Sequence, residues 1–192
     1  IARRLQAWLN EGRRAADLDM SADERAAAHD LFLLTMKPML YVANVDEDKV
    51  GEMPARIMGQ GPIAICAEVE AELAELDAAE AAEYLESLGL ERSGLETLAQ
   101  AAYHLLGLQS YFTAGPKEVR AWTVRVGAKA PEAAGVIHSD FERGFIKAKT
   151  ISFDDFVALG GETGAREAGK LRMEGKDYVV QDGDVMEFMF NV

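Results

Sequence analysis

The sequence holds one cysteine, Cys66, so no disulfide can form within the chain, and a reducing cytosol fits. Three histidines, His29, His104 and His138, are too scattered to make a metal site by spacing. No apolar run approaches the ~20 residues that span a bilayer, and no signal peptide is visible. Basic side chains are in deficit: 20 Lys and Arg stand against 33 Asp and Glu, a formal charge of −13. There is no internal repeat and no low-complexity segment. The alanine-rich acidic stretch Glu68–Glu86 is helix material, not linker. A starting Met is also lacking. Ile1 opens inside a helical pattern, so the chain is expected to be a piece of a longer one.

The 192 residues suffice for one large or two small domains. The charge is uneven. Residues 1–107 carry 9 basic and 20 acidic side chains, net −11, and residues 108–192 carry 11 and 13, net −2. The acidic half repels nucleic acid at long range, while the nearly neutral half has room for a local basic face.

Leu5, Trp8 and Leu9 recur at helical spacing, with Gly12 ending the helix. Ser21-Ala22-Asp23-Glu24 has the form of a capping box and predicts a helix running to about Leu34. Pro38 then forces the chain extended. Met39 to Ala43 is a continuous apolar run ending in polar residues, and it predicts a strand buried on both faces of a parallel sheet. Asp46 to Gly61 is polar, with a short helix expected around Met53–Met58. Ile63 to Ala67 predicts a second buried parallel strand. Asp77 and Ser93 open two further helices. Gly89 ends the first, and Leu95, Leu98, Ala102, Leu105 and Leu106 form an apolar stripe on the second.

Near Gly107 helices give way to short strands, which predicts a domain boundary. Trp122, Val124 and Val126 alternate with Ala121, Thr123 and Arg125, a period of two. Ala130 to Ile137 forms a helix. Phe145 to Ile151 alternates again, with Ile146 and Ala148 inward and Lys147 and Lys149 outward. Phe153 to Leu159 is helical and is broken by Gly160-Gly161. Tyr178-Val179-Val180 and the strand from Val185 flank a turn at Gln181–Asp184, with Met186, Phe188, Phe190 and Val192 on one face. Strands wrapped around one helix suggest a small α+β domain of the β-grasp kind.

In open α/β sheets ligands bind beyond the carboxyl ends of the strands, which is where Asn44 and Glu47 fall. The same residues also fit a strand-ending turn in which Asn caps the loop. Cys66-Ala67 holds the equivalent place after the next strand. Cys66 there is either part of a pocket or plain core, and no neighbouring base makes it a nucleophile. Gly164-Ala165-Arg166-Glu167-Ala168-Gly169-Lys170 fits the spacing of a phosphate loop. It has Leu171 where Ser or Thr should hold magnesium, and it lacks a preceding strand. Arg143, Lys147 and Lys149, with Arg120 and Arg125 across the sheet, form a possible partner or RNA face, or else solvated surface. His138 to Gly144 is read as a loop, either for a partner or as simple turn chemistry.

Asn44-Val45-Asp46-Glu47 resembles the base-recognition motif of P-loop NTPases, Asn-Lys-x-Asp, with Val45 for Lys and Glu47 for Asp. Asn-x-x-Glu there resembles the YchF/EngD family of Obg-like ATPases. So do Lys37–Asn44, Tyr111–Gly115, Glu118–Thr123, Ala134–His138, Asp140–Ile146, Glu174–Tyr178 and Gln181–Val185. The resemblance implies an α/β and α+β chain. Residues 1–36 are the end of a helical insert, 37–107 the C-terminal part of a P-loop NTPase domain, and 108–192 a TGS domain with a β-grasp (ubiquitin-like) fold. It implies a cytoplasmic, ribosome-associated protein that binds ATP, with GTP tolerated, and hydrolyses it slowly with Mg²⁺. Asn44, Val45 and Glu47 would contact the base, Val45 through its backbone, and Cys66 and Ala67 would complete the pocket. The chain shown holds no credible phosphate loop, so by itself it is expected to be inactive and to require no cofactor. The alternative is a non-enzymatic β-grasp module that binds a partner or RNA.

Overall fold

A computed structural model describes every residue except Met53, Pro54, 58–60, Lys117 and Val192. The chain divides into two compact units, Ile1–Leu105 and Leu106–Val192.

In the first unit, α1 (Ala2–Asn10) buries Leu5 and ends where Gly12 takes φ +73°. The Trp8 indole N–H donates to the Arg14 carbonyl at 2.8 Å and ties the following turn back onto the helix. The capping box at Ser21 forms in full, with Ser21 Oγ accepting from Glu24 N–H and Glu24 accepting from Ser21 N–H. It starts α2 (Ala22–His29), which stops well short of the expected Leu34. Leu31 and Phe32 N–H bond three residues back, and Phe32 adopts φ +48°, so the chain leaves the helix through a left-handed residue. Leu5, Ala15, Leu18, Met20 and Ala28 make the core of this part.

The apolar run after Pro38 yields a shorter and more open strand than expected. β1 is only Val42–Asn44, and Val42 is 47% exposed. It pairs in parallel with β2 (Ile63–Ile65), Val42 opposite Ile63 and Asn44 opposite Ile65, in a sheet of two strands. Burial on both faces is therefore corrected. A two-stranded ribbon has two open edges, and the short helices beside it leave both strands partly exposed. The short helix expected at Met53–Met58 has both ends outside the described residues, and Ala55 to Ile57 are not helical. After β2 come α3 (Ala67–Leu73), α4 (Ala78–Ser87) and α5 (Gly94–Leu106). Asp77 closes a complete capping box with Glu80, and Ser93 Oγ accepts from Glu96 N–H. The stripe on α5 is correctly periodic but not buried: Leu95 is 55% exposed and Leu106 53%.

In the second unit five strands run in the order β4-β3-β7-β5-β6. They are β3 (Leu108–Ala114), β4 (Val119–Arg125), β5 (Phe145–Ser152), β6 (Arg172–Glu174) and β7 (Asp184–Phe190). β3 and β4 form an antiparallel hairpin, β3 lies parallel to β7, and β5 pairs antiparallel with β6 and β7. The connections carry α6 (Ala130–Ile137), α7 (Ser139–Arg143), α8 (Phe153–Ala158) and α9 (Glu162–Glu167). Small residues Ala130, Ala133 and Ala134 let α6 sit close on Tyr111, Phe145, Ala148 and Met186. Tyr111 is fully buried, and its hydroxyl donates to the Ala133 carbonyl at 2.8 Å, so the phenol keeps a partner inside the core.

Three expectations for this unit need correction. Ile146 points outward, not inward, because a register shift between Phe145 and Lys147 inserts one extra residue opposite β7. Phe145 and Ala148, three apart, are therefore both buried, as are Thr150 and Ile151 further along β5. His138 to Gly144 is not a loop: His138 Nδ1 accepts from Asp140 N–H and starts α7. Tyr178–Val180 makes one isolated bridge, Val179 with Lys129, instead of a strand. It is stitched by Ala130 N–H to Tyr178 O and Val180 N–H to Ala128 O. The turn that follows is held by Asp184, whose buried carboxylate accepts from Tyr178 Oη at 2.7 Å and Gln181 N–H at 2.9 Å. Val192, expected to end the inward face of β7, lies outside the described residues.

Candidate functional site at the ends of the two parallel strands

The parallel register brings Asn44 and Ile65 level, so the residues that follow each strand emerge at one corner. Asn44 Oδ1 accepts the Ala67 N–H at 3.1 Å, a side-chain bridge between the two strand ends. Val45 N–H donates to the Ile65 carbonyl at 2.9 Å and extends the ladder one step. The two bonds fix the corner. They also commit the Ala67 N–H, the Val45 N–H and the Asn44 side-chain oxygen.

Glu47 sits in a single 3-10 turn, Glu47–Lys49, and is exposed. Asp46, before that turn, accepts from Lys49 Nζ at 2.7 Å. That contact holds the Asp46 carboxyl below its usual range and raises Lys49. The Glu47 carboxylate is thus presented on a short turn closed by its own ion pair. Cys66 is buried at the start of α3, and its backbone is extended there. It lines a cleft of about 320 Å³ together with Val50, Ile63, Glu70 and Arg92, which neither Asn44 nor Glu47 lines. The Glu70 carboxylate closes one end of that cleft by accepting the Gly94 N–H at 2.6 Å.

Tyr84 belongs to this neighbourhood and was not among the sequence candidates. Its hydroxyl donates to Glu72, and its phenol is pushed up to about 12 by that bond, by desolvation, and by charge on Glu72, Glu47 and Cys66. The signal was a lone tyrosine on an acidic alanine-rich helix. Nothing in local periodicity links it to a loop some forty residues earlier.

The basic residues of the second unit are largely neutralised. Lys149 Nζ contacts Glu187 at 2.6 Å and Glu162 at 3.1 Å, and those two bonds hold it firmly protonated. Arg143 pairs with Asp140, and Arg120 with Glu118 while stacking on Trp122. Lys147 is exposed and has no carboxylate partner among the described residues. The phosphate-loop lookalike is not a loop. Gly164 to Glu167 lie inside α9, Gly169 turns the chain at φ +70°, and Lys170 contacts Asp155 at 3.3 Å. A working cradle needs a strand, a glycine-rich loop and then a helix. Among the described residues, no three His, Cys, Asp or Glu side chains are placed to hold a metal ion. No helix among them is long and apolar enough to cross a membrane.

A mixed α/β chain with a parallel strand pair ending in Asn-x-x-Glu, followed by a second β-rich unit, has counterparts of known structure. The Schizosaccharomyces pombe YchF GTPase superposes with a TM-score of 0.80 at 32% identity, over 97% of this chain and 53% of that one. A GTP-binding protein from Pyrococcus horikoshii, 19% identical with a TM-score of 0.53, covers 97% of this chain and 55% of that chain, and shares the fold alone. Residues 108–191 match the model for the C-terminal region of YchF GTPases, described as a protein of unknown function (DUF933). The chain is 56% identical over 184 residues to the ribosome-binding ATPase YchF of Escherichia coli O157:H7, covering 91% of this chain and 50% of that protein. It is 50% identical over 203 aligned positions to the Bacillus subtilis (strain 168) protein of the same name, covering 100% and 56%. The chain belongs to the YchF family. It spans about half the length of the curated relatives it matches.

Proposed function

We propose that residues 37–107 are the base-reading part of a P-loop NTPase domain, residues 1–36 the end of a helical insert, and residues 108–192 a TGS domain of the β-grasp kind. The intact protein binds ATP, tolerates GTP, hydrolyses slowly with Mg²⁺, and associates with ribosomes in the cytoplasm. The observation that carries this reading is the Asn44-to-Ala67 bond between the ends of two parallel strands. It holds the corner in shape and supports a purine contact through the Asn44 amide.

Base choice follows from hydrogen-bond chemistry. Guanine offers two N–H donors that an Asp carboxylate accepts together. A Glu is one methylene longer and must move the loop to match them. Buried donors left unpaired cost about 1–3 kcal/mol each, and adenine avoids the cost because it lacks that donor pair. Glu47 therefore favours ATP over a strict guanine preference, while Val45 packs on the purine and offers its carbonyl. The phosphate cradle and the magnesium ligands come from the part of the protein that this chain does not span. Without them phosphoryl transfer has nothing to stabilise its developing charge. The 192-residue chain by itself is expected to give no magnesium-dependent ATP turnover.

Ribosome association is assigned to the second unit, with Arg143, Lys147 and Lys149 as the candidate contacts. Ribosome association as such is supported by the names of the relatives. The experiment is a competition titration of ATP against GTP on the intact protein. ATP is expected to bind at least as tightly as GTP, and Glu47→Asp is expected to shift preference toward GTP. A strong native preference for GTP would contradict the assignment of Glu47.

A further inference from the structure

The apolar arc of α5 is wider than the surface it packs against. On its packed flank Gly94 comes so close to β2 that a Cβ there would lie 3.0 Å from the Ile65 side chain. The Gly94 N–H donates to Glu70 of α3, and Leu98 and Ala101 follow on that side, both partly buried. The next flank carries Leu95, Ala99 and Ala102 at spacings of four and three, and Leu95 and Ala99 are exposed. Leu105, on the same arc near the end of the helix, is exposed as well. Polar side chains keep mainly to Glu96, Gln100 and His104, a narrow stripe. A helix with so little polar surface is one that is covered on more than one side. The strand pair is bare in the same way. Parallel strands occur almost only with both faces covered. Here Val42 is exposed, Ile63 and Ile65 are only partly buried, and neither β1 nor β2 has a further strand partner among the described residues.

We infer that the bare flank of α5 and the exposed side of β1 are intramolecular docking surfaces, covered by the part of the intact protein that this chain does not span. The occupant follows from length. The chain matches 50% of the Escherichia coli O157:H7 relative and 56% of the Bacillus subtilis one, and the Schizosaccharomyces pombe structure continues over nearly as much chain again. A segment of that size on the same polypeptide meets the surface at an effective concentration that a separate protein does not reach. Charge selects which surface is covered. From Glu68 to Glu91 the chain carries nine carboxylates and no Lys or Arg, so α3 and α4 keep a face in water, whereas the α5 flank holds only apolar side chains. Docking there also bears on the base-reading corner. α5 backs onto Ile65, and the Ile65 carbonyl takes the Val45 N–H, so covering α5 steadies the strand end that carries Asn44 and Ala67. This inference rests on family membership and on burial, not on the assignment of Glu47: a titration that contradicted ATP preference would leave it standing.

The test compares the 192-residue chain with the intact protein by hydroxyl-radical footprinting read by mass spectrometry. Val42, Leu95 and Leu105 are expected to be labelled in the chain and protected several-fold in the intact protein. One substitution adds a second readout. Leu95→Asp places a carboxylate in the first turn of α5, where the helix dipole tolerates it, so thermal unfolding of the chain is expected to be unchanged. In the intact protein the same carboxylate is buried, and the unfolding temperature is expected to fall by several degrees. Glu96→Gln, on the polar stripe, is expected to be silent in both. Equal labelling of Val42, Leu95 and Leu105 in the two proteins, or a Leu95→Asp that is silent in the intact protein, would overturn the inference. Protection in the chain alone that disappears on dilution would also overturn it, because it would assign the face to a second copy.

Discussion

The second unit and the strand-pair part of the first differ in how much of their own core they carry. Unit two closes a five-stranded sheet over α6, with Tyr111, Phe145, Ala148, Val180 and Met186 buried together. Among the described residues, 37–105 contribute only Pro62, Cys66 and Val69 as buried apolar side chains, and α4 and α5 contribute none. The first 36 residues have a small cluster around Leu5. The physical lesson concerns where order comes from. In unit two, burial fixes the strands, at about 25 cal/mol per Å² of apolar surface removed from water. At the Asn44 corner, order comes from a few directional bonds, each with a net value near 1 kcal/mol.

The largest effect that sharpens this contrast is expected from Tyr111→Ala. It removes a fully buried ring together with the hydroxyl bond to the Ala133 carbonyl, at a cost of about 3–5 kcal/mol. Thermal unfolding of the chain followed by hydrogen exchange should show unit two lost while the Leu5 cluster is unchanged. Simultaneous loss of both would break the contrast. Asn44→Ala is next. It deletes the bond to Ala67 N–H and should cost about 1 kcal/mol. Exchange at Val45 and Ala67 should quicken without any change in unit two.

The smallest effect is spectroscopic. Tyr84 is raised to about 12 chiefly by its bond to Glu72, so Glu72→Gln should bring its titration down toward 10.0 in ultraviolet difference spectra. The sign is that of a group whose folded pKa lies above its unfolded value. Its contribution is complete below the ordinary phenol range and is lost as pH rises through about 12. A titration unmoved by Glu72→Gln would show that something other than Glu72 holds the phenol.

What was legible in the sequence follows the same division. The capping box at Ser21, the helix start at Asp77 and the helix Ala130–Ile137 are local, decided by residues three or four apart, and each formed where expected. The parallel pairing of the two short apolar runs was also legible, because apolar residues ending abruptly in polar ones carry that signal. The burial of β1 was not, since burial depends on neighbours rather than on the strand itself. Ile146 was misplaced because a single extra residue in β5 flips side-chain direction, and alternation alone carries no mark of a bulge. The pairing of Lys149 with Glu162 and Glu187 joins three separate elements, so the apparent basic face looked freer in sequence than it is in the fold. At the candidate corner, Asn44 and Glu47 could be named from their place after a strand. The contact from Asn44 to Ala67 spans 23 residues and needed the fold.

The division itself is most directly tested by amide hydrogen–deuterium exchange on the whole chain at neutral pH. The expected result is slow exchange across β3, β5 and β7, centred on Tyr111, Ala148 and Met186, with exchange at Val42–Asn44 and Ile63–Ile65 faster by orders of magnitude. Equal protection in the two regions would contradict it, because it would mean that the strand pair carries a core of its own.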